Sequence, residues 1–212
     1  MDESDTSSGI SAVVLAAGSS SRMGTPKQML LFGGQTLLRR AALAALEAGC
    51  RPVIVVTGAH AEQSRGELHG LDVREVENTR WETGMASSIR VGVEALAEAY
   101  DETAAVVLML CDQPYVTPDV VACLVAAHRD TRSPIIASQY GGSFGVPALF
   151  ARPLFSELAR LEGRSGARQV IERHASEAHF VPFPGGEMDV DTPDDFSRLL
   201  LNQHAFPSEP SA

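Results

Sequence analysis

Short apolar runs alternate with longer segments of helical periodicity along the first part of the chain. Four pairs of a strand candidate and a following helix candidate are visible: 12–15 and 37–48, 53–57 and 61–68, 73–76 and 85–97, and 105–110 and 119–128. This alternation predicts β-α-β units on a parallel sheet. The runs 53–56 and 106–110 are almost wholly apolar, which is typical of strands that are buried on both faces.

The pattern changes after Ser133, where a glycine pair between two strand candidates indicates an antiparallel excursion. The segments that follow are, in order, a strand at 134–138, the turn Gly141-Gly142, a strand at 144–150, helices at 153–161 and 166–174, a strand at 179–183, and a helix from Pro193 that Thr192 caps. The sequence therefore predicts a three-layer α/β fold with a mixed, mostly parallel sheet.

Length and composition bound the domain organisation. The chain has 212 residues, of which 44% are hydrophobic and 21% charged, and neither a repeat nor a low-complexity linker interrupts it. We expect a single domain over 11–203. The segments 1–10 and 204–212 are predicted to be flexible tails, because they are short, polar and, at the second end, proline-containing.

The charge pattern excludes several classes of protein. A formal net charge of −10 argues against binding to nucleic acid or to an acidic membrane surface. There is no apolar run of about 18 residues, and the acidic start is unlike a secretory signal. Three cysteines, Cys50, Cys111 and Cys123, lack the spacing of a structural zinc site or a disulfide framework. We expect a cytoplasmic protein with neither nucleic-acid nor membrane partners.

The loop after the first strand, LAAGSSSRMGTPK at 15–27, carries the most distinctive chemistry. Gly18 and Gly24 allow close backbone approach, three serines add hydroxyl groups, and Arg22 and Lys27 add fixed positive charge. Backbone N–H groups and cations together bind polyanions, so the loop predicts a nucleotide triphosphate site. Its spacing matches neither G-x-G-x-x-G nor the Walker pattern. The alternative is an ordinary turn with solvent-facing cations.

Two later segments offer carboxylates for a metal ion. Asp112 follows the apolar run 106–110 and so lies at the carboxyl edge of the sheet, where open α/β sheets bind ligands. Thr117 is the better cap for the next helix, which leaves Asp112 free. Asp189 and Asp191 alternate along an extended segment, and one of them could face Asp112. Mg²⁺ prefers one or two carboxylates, completed by phosphate and water. A turn aspartate is the alternative for Asp112 and for Asp189.

A third segment, Gly84-Met85-Ala86-Ser87-Ser88-Ile89, opens a helix just after the single tryptophan, Trp81. Backbone N–H groups and hydroxyls at a helix N-terminus can bind a base edge or a ribose. The alternative is helix capping by Thr83 or Ser87.

Several motifs stand in order along the chain. They are LAAG-x-SSRMG-x-x-K at 15–27, N-x-x-W-x-x-GM-x-SSI at 78–89, DQP at 112–114, G-x-P-x-x-F at 145–150, G-x-x-GAR at 163–168 and D-x-DTP-x-D at 189–195. Together they span about 12–200 and resemble the MobA-like NTP transferase family, most closely its molybdenum cofactor cytidylyltransferase branch. The resemblance implies a Rossmann-like, GT-A-like nucleotidyltransferase fold.

The resemblance also implies a reaction. A nucleoside monophosphate would pass from a triphosphate to a phosphorylated acceptor with Mg²⁺, releasing pyrophosphate. Arg22, Lys27 and Asp112 would be catalytic, the two cations offsetting phosphate charge, and Asp112 and Asp191 would hold the metal. The residues implied for nucleotide binding are Leu15, Ala16, Ala17, Gly18, Ser20, Ser21, Arg22, Lys27, Gly84, Ser87 and Ser88.

Substrate choice follows from details of the same resemblance. Guanylyltransferases of the superfamily usually have Gly-Gly at the place of Ala17-Gly18 and a more basic loop, so the resemblance favours CTP as the nucleotide. The acceptor that it implies is molybdenum-bound molybdopterin. A molybdoenzyme or its chaperone is a further expected partner. Val146 and Arg164 stand where the cytidylyltransferases commonly have histidine and aspartate. These two departures concern the acceptor pocket.

Other functions stay open. A transferase for another base or acceptor, such as GTP or a sugar phosphate, would keep the same motifs. A MobA-like domain repurposed as an NAD(P)H-dependent oxidoreductase is a second alternative, although the chain lacks G-x-G-x-x-G with its downstream acidic residue. The six histidines show no metal-ligand spacing, and Cys111 is interpreted as a packed thiol.

Overall fold

The computed structural model describes residues 9–202, which form a seven-stranded sheet with helices on both faces. The strands are β1 (Ile10–Leu15), β2 (Leu31–Phe32), β3 (Gln35–Thr36), β4 (Val53–Thr57), β5 (Arg74–Glu77), β6 (Ala105–Leu110), β7 (Ile135–Tyr140), β8 (Ser143–Ala151) and β9 (Ala178–Pro182). The helices are α1 (Leu37–Glu47), α2 (Ala61–Leu68), α3 (Met85–Ala99), α4 (Pro118–Thr131), α5 (Phe155–Ala159), α6 (Arg168–Arg173) and α7 (Pro193–Leu201).

The strand order is β5-β4-β1-β6-β8-β7-β9. The pairs β5-β4, β4-β1, β1-β6 and β7-β9 are parallel, whereas β8 runs antiparallel to both β6 and β7. This arrangement confirms the predicted three-layer α/β fold with a mixed, mostly parallel sheet. The antiparallel excursion lies where the sequence indicated it, in the hairpin of β7 and β8.

The core lies on both sides of β1, which explains why its sequence is apolar at every position except Ser11. Val14 packs on the face that α1 and α4 cover, whereas Val13 packs on the opposite face against α3. Both side chains are completely buried. Alternating side chains of a central strand point to opposite faces, so a sheet with two helical layers needs apolar residues at successive positions.

Helix caps fix the segments that lead into the site. Thr117 caps α4, with Pro118 in the first turn, and Thr192 and Asp195 form a reciprocal capping box at the start of α7. Both threonine caps confirm the sequence prediction. Because Asp195 is used in its own helix, Asp191 is left outside α7 and can point elsewhere.

Element boundaries differ from the prediction in a few places. β1 begins at Ile10, which pairs with Ala105, so a residue assigned to the first tail belongs to the sheet. The rest of both predicted tails, apart from Gly9, lies outside the described residues. The hairpin of β2 and β3 was not predicted, since each strand has two residues and the turn depends on Gly33 and Gly34 with φ of 61° and 81°. Within residues 9–202, the helices lack the length and apolar character needed to cross a membrane.

Candidate active site

The predicted catalytic and metal-binding residues, Arg22, Lys27, Asp112 and Asp191, come together at the carboxyl ends of β1 and β6. These strands are parallel neighbours, so the loop after Leu15 and the loop after Leu110 leave the same edge of the sheet. The segment before α7 joins them, because the backbone N–H of Val190 donates to the carbonyl oxygen of Asp112 at 3.0 Å. One backbone bond therefore fixes the last acidic motif beside the DQP motif.

Lys27 is the centre of a charged cluster at this edge. Its ammonium donates to Asp112 Oδ2 and, at 3.1 Å, to Asp191 Oδ1. Arg22 reaches the other oxygen of Asp191 at 2.9 Å. The side chains of Lys27 and Asp112 are only 16% and 13% exposed, whereas Arg22 is 69% exposed. The structure thus brings together four residues from three separate segments of the sequence.

The electrostatics keep the cluster charged. Burial acts to lower the pKa of Lys27, but the charge of Asp112 and its hydrogen bond outweigh burial and raise that pKa above its usual range. Cys111 is different, because burial and the neighbouring Asp112 charge raise the pKa of its thiol to about 12. That thiol is therefore protonated and inert, in agreement with its interpretation as a packed residue.

Asp189 is the third carboxylate of this edge, and the residue as a whole is exposed to solvent. Partial loss of water around the carboxylate, together with the negative charges of Asp112 and Asp191, raises the pKa of Asp189 above its ordinary value. Asp189 makes no ion pair with Lys27 or Arg22, which instead contact Asp191. Of the two alternating aspartates, Asp191 is the one that faces the cations.

The donor set fits a hard divalent cation held jointly with phosphate. Asp112 Oδ1 is buried and has no hydrogen-bond partner among residues 9–202. Such an orphaned carboxylate oxygen is the kind of ligand that Mg²⁺ or Mn²⁺ takes. Across the described part of the chain, no three His, Cys, Asp or Glu side chains are grouped closely enough to hold a metal ion. A metal here would therefore need oxygens from a bound nucleotide.

The loop of residues 16–27 is shaped by a buried glutamine that the sequence reasoning missed. Gln28 is 1% exposed, and its Nε2 donates to the carbonyl oxygens of Ala16 at 2.9 Å and Gly18 at 2.8 Å. Its Oε1 accepts the Ser20 hydroxyl at 3.2 Å, and that same hydroxyl oxygen accepts the backbone N–H of Lys27 at 2.9 Å. Gln28 thereby closes the loop into a ring that holds the lysine backbone in place.

Residues of this loop differ in what they can offer a ligand. Leu15, Ala16 and Ala17 are buried, so only their backbone atoms could face a nucleotide. Gly18 and Ser21 are exposed. Met23 is buried against Phe32, Leu37, Val190 and Leu199, which anchors the exposed arginine before it. Two strongly turned positions, Ser20 with φ of 55° and Gly24 with φ of 73°, fold the loop back over the sheet edge.

Asn78 organises the second motif in a similar way. It is 2% exposed, its Nδ2 donates to the hydroxyls of Ser87 at 2.8 Å and Ser88 at 3.0 Å, and its Oδ1 accepts the backbone N–H of Arg80 at 3.0 Å. Gly84 takes the N-cap position of α3, so neither Thr83 nor Ser87 caps that helix with its side chain. The two serines thus hold the motif loop, and Ser88 is itself buried.

Close glycine contacts join the loops to one another. A Cβ on Gly58, which follows β4, would lie 2.7 Å from the carbonyl oxygen of Ala17 and 2.9 Å from Trp81 Cβ. A Cβ on Gly84 would lie 2.2 Å from the carbonyl oxygen of Gly163. Both distances are too short for a side chain to fit at either glycine. The loop after β4 therefore packs closely against the loop after β1 and the Trp81 turn, and the start of α3 packs closely against the 163–166 loop.

The two departures from the family pattern lie at different places. The carbonyl oxygen of Val146 accepts Gln113 Nε2 at 3.1 Å and the Tyr140 hydroxyl at 3.2 Å, so Val146 borders the DQP motif. Arg164 is exposed and follows Gly163, whose carbonyl accepts the backbone N–H of Ala86 at 3.3 Å. Arg164 therefore borders the segment predicted for nucleotide binding, and Val146 borders Gln113 of the DQP motif.

A cavity of about 630 Å³ lies behind the loop after Asp112, between α1 and α4, and none of the predicted site residues lines it. Its walls include Phe32, Leu43, Tyr115, Val120, Cys123 and Phe183. The charged cluster and this cavity are thus separate features on either side of the 113–117 segment.

Sequence reasoning missed the positioning roles of Gln28 and Gly58. The available signal for Gln28 was a lone polar residue between Lys27 and the apolar Met29-Leu30-Leu31. The signal for Gly58 was a glycine directly after a buried strand, which often marks close backbone approach.

Comparison with known proteins identifies relatives along nearly the whole chain. Nicotine blue oxidoreductase of Paenarthrobacter nicotinovorans is 30% identical over 204 residues, covering 90% of this chain and 96% of that protein. Molybdenum cofactor cytidylyltransferase of Escherichia coli K12 is 28% identical over 196 residues, covering 89% of this chain and 94% of that enzyme.

Among solved structures, Rv0371c from Mycobacterium tuberculosis H37Rv superposes with a TM-score of 0.78 and 36% identity, covering 92% of this chain and 98% of that one. A complex of the same protein with manganese gives a TM-score of 0.74 and 34% identity, with the same coverage of both chains. A profile described as the MobA-like NTP transferase domain matches residues 12–178, well over half of the sequence. The chain therefore belongs to the MobA-like NTP transferase family.

Proposed function

We propose that this nucleotidyltransferase of the MobA-like family moves CMP from CTP to the terminal phosphate of molybdenum-bound molybdopterin and releases pyrophosphate. The observation that carries the proposal is the contact of Lys27 with both Asp112 and Asp191, with Arg22 beside them. Two cations and two carboxylates at one sheet edge are what a polyphosphate and its counter-ion require.

The chain's own residues supply positioning and charge. The acceptor phosphate oxygen attacks the α-phosphorus of CTP in line, the bond from that phosphorus to the bridging oxygen breaks, and pyrophosphate leaves with the electron pair. Lys27 and Arg22 offset the charge that grows on the departing oxygens. A phosphate monoester is already anionic near neutral pH, so the step needs no general base.

Asp112 and Asp191 are the residues that would hold Mg²⁺, which when bound supplies further neutralisation of phosphate charge. The buried, unpartnered Oδ1 of Asp112 supports this assignment. The manganese complex of the Rv0371c protein, 34% identical to this chain, supports the use of a divalent cation.

The choice of CTP and of a pterin acceptor rests on the 28% identity with the E. coli cytidylyltransferase and on Ala17-Gly18 in the phosphate loop. The nucleotide would lie between the residues of that loop and Gly84, Ser87 and Ser88. Because Ser87 and Ser88 already bond to Asn78, we infer that the base meets mainly backbone groups of this segment.

Pyrophosphate release tests the proposal. The protein is incubated with Mg²⁺, the molybdenum-bound pterin and CTP, GTP, ATP or UTP in turn, and release is expected to be fastest with CTP. Asp112→Asn should lower the rate at least about 100-fold, since it removes a charge that acts in the transition state. Asp130→Asn, on the exposed side of α4, is the matched control. Equal rates for Asp112→Asn and Asp130→Asn would contradict the site assignment.

A second function is favoured by one observation, the 30% identity with nicotine blue oxidoreductase. An NAD(P)H-dependent reductase of this family would bind a dinucleotide at the same sheet edge, using Arg22 and Lys27 for its pyrophosphate. Titration with NADPH and with CTP separates the two proposals. Tight NADPH binding with no nucleotidyl transfer to any acceptor would favour the reductase.

A further inference from the structure

The Lys27 ammonium contacts two carboxylates at once in the protein without ligands. It lies between Asp112 and Asp191, the two carboxylates that the proposed function assigns to the metal. On Asp112 the ammonium contacts Oδ2 and leaves Oδ1 without a partner, but both oxygens of Asp191 are already taken, Oδ1 by Lys27 and Oδ2 by Arg22. A metal ion that binds both carboxylates must therefore displace a cation from Asp191, and the ammonium lies between the two carboxylates.

Charge balance decides how costly that displacement is. In the protein without ligands, Lys27 and Arg22 contact two carboxylates, Asp112 and Asp191, so these four charges balance, and Asp189 lies nearby without an ion pair to either cation. A divalent cation entering on its own would add two positive charges and would leave the lysine, only 16% exposed, without the carboxylates that it contacts. An unpaired charge in a poorly hydrated site is expensive. A triphosphate changes this balance, because its oxygens give both cations new partners.

The backbone of Lys27 is held in place, so its side chain can change partners while the loop stays fixed. The backbone N–H of Lys27 is held by the Ser20 hydroxyl at 2.9 Å, and the next residue, Gln28, is tied to the carbonyls of Ala16 and Gly18. Lys27 also begins a short 3-10 helix that ends at Met29. An exchange of partners therefore takes place by rotation of one long side chain over a fixed backbone, without rearrangement of the loop.

We propose that Lys27 is a resident counter-ion that closes the metal site until a polyphosphate arrives. In the nucleotide-free protein its ammonium blocks the carboxylates, and phosphate oxygens then withdraw it and open Asp112 and Asp191 to the divalent cation. The consequence is that metal and nucleotide enter together, and that metal alone binds poorly. This inference rests on the proposed metal site but needs neither CTP specificity nor the pterin acceptor.

The test measures binding of Mn²⁺ alone, by electron paramagnetic resonance and calorimetry, to protein without nucleotide. For the wild type we expect a Kd of roughly 1 mM or weaker. Lys27→Met and Lys27→Gln should each bind Mn²⁺ about tenfold or more tightly than the wild type, the gain expected if the lysine blocks the site roughly nine-tenths of the time. Adding Asp112→Asn to either variant should abolish the gain.

A matched control separates site opening from a general gain of negative charge. Arg65 contacts Glu75 at 2.8 Å and Glu77 at 2.6 Å on the protein surface, so Arg65→Met also removes one cation from between two carboxylates. We expect it to change Mn²⁺ affinity far less, because its partners are more hydrated. An equal gain in Arg65→Met would overturn the proposal.

The remaining outcomes are also decisive. A folded Lys27 variant with unchanged Mn²⁺ affinity would overturn the proposal, and so would a wild-type Kd near 10 µM. The wild-type measurement stands even if both lysine variants fail to fold. Failure of the proposed transfer reaction is seen independently, as absent pyrophosphate release in a protein whose Mn²⁺ binding still responds to Lys27.

Discussion

Gln28 Nε2 donates a hydrogen bond of 2.8 Å to the carbonyl oxygen of Gly18, from a side chain that is 1% exposed. With the bonds to Ala16 and Ser20, this contact fixes the shape of the loop that carries Arg22 and Lys27. Gln28→Leu keeps the volume but removes the donor from the buried carbonyl of Ala16 and from the carbonyl of Gly18. We expect a loss of about 2–4 kcal/mol in the free energy of unfolding, together with weaker nucleotide binding.

Urea unfolding and CTP titration check this expectation. Gln169→Leu, at an exposed position of α6, serves as the control and should change stability by less than about 0.5 kcal/mol. If Gln28→Leu is as stable as Gln169→Leu and binds nucleotide normally, Gln28 does not shape the loop.

Gly58→Ala tests the backbone packing between the phosphate loop and the Trp81 turn. The added Cβ would lie 2.7 Å from the Ala17 carbonyl oxygen, so the two loops must separate. We expect a destabilisation of roughly 1–3 kcal/mol and an altered fluorescence of the tryptophan.

Gly66→Ala in α2 is the matched control, because nothing lies within 4 Å of its added Cβ. That substitution should stabilise the protein by roughly 0.5–1 kcal/mol, as alanine does in helices. Similar losses in both variants would refute the packing argument.

Asn78→Ala removes the amide that holds Ser87, Ser88 and the backbone of Arg80. The Ser88 hydroxyl would then be buried with one partner fewer, and we expect a cost of about 2–3 kcal/mol. The 78–84 segment should also become more accessible to amide hydrogen exchange than in the wild type. Thr131→Ala, which removes an exposed bond to the Ala127 carbonyl, is the control. Unchanged exchange across 78–84 in Asn78→Ala would show that the amide is not the organiser of this motif.

The pair of His174 and Glu157 predicts a pH dependence of stability. Their hydrogen bond of 2.8 Å raises the pKa of His174 above its ordinary 6.5 and lowers the pKa of Glu157 below its ordinary 4.5. The histidine contribution is complete below pH 6.5 and disappears as the pH rises through the raised pKa. The glutamate contribution is present above pH 4.5 and disappears as the pH falls through the lowered pKa. The pair therefore stabilises most between these two ordinary values.

His174→Gln measures that contribution. Both side chains are about a quarter exposed, so we expect it to cost at most about 1 kcal/mol near pH 5.5 and close to nothing well above the raised pKa. Equilibrium unfolding of the variant and the wild type at both pH values gives the difference. A cost that is the same at the two pH values would mean that packing, not charge, accounts for it.

The sequence predicted the sheet well because its central strands are apolar on both faces and its helices have a clear period. The runs 53–57 and 105–110 coincide with β4 and β6 residue for residue. Edge elements were predicted less accurately. The β5 segment was placed one residue early, at 73–76 instead of Arg74–Glu77, because an exposed strand has little hydrophobic signal. The predicted helix 153–161 proved to be a 3-10 turn followed by the five residues of α5.

Candidate chemistry was easier to predict than its arrangement. Arg22, Lys27, Asp112 and Asp191 are charged residues at loop positions, and charge in a loop after a buried strand is visible in sequence. The buried amides of Gln28 and Asn78 bond to partners that only the folded loops bring near, so no local pattern reveals them. The roles of the nucleotide-binding and metal-binding residues, and a cytoplasmic location, stay predictions that the experiments above address.

The pairing of Lys27 with Asp191 spans 164 positions of the chain. On a ribosome that adds roughly 5–20 residues per second, about 8–33 s pass between synthesis of the lysine and synthesis of this aspartate. During the second part of that interval, after Asp112 has been added, the nascent chain holds Lys27 and Asp112 but not yet Asp191, the second carboxylate that the ammonium contacts. The charged cluster is thus one of the last features of this domain to be completed during translation, and a chain interrupted before Asp191 would carry the phosphate loop without its full set of counter-charges.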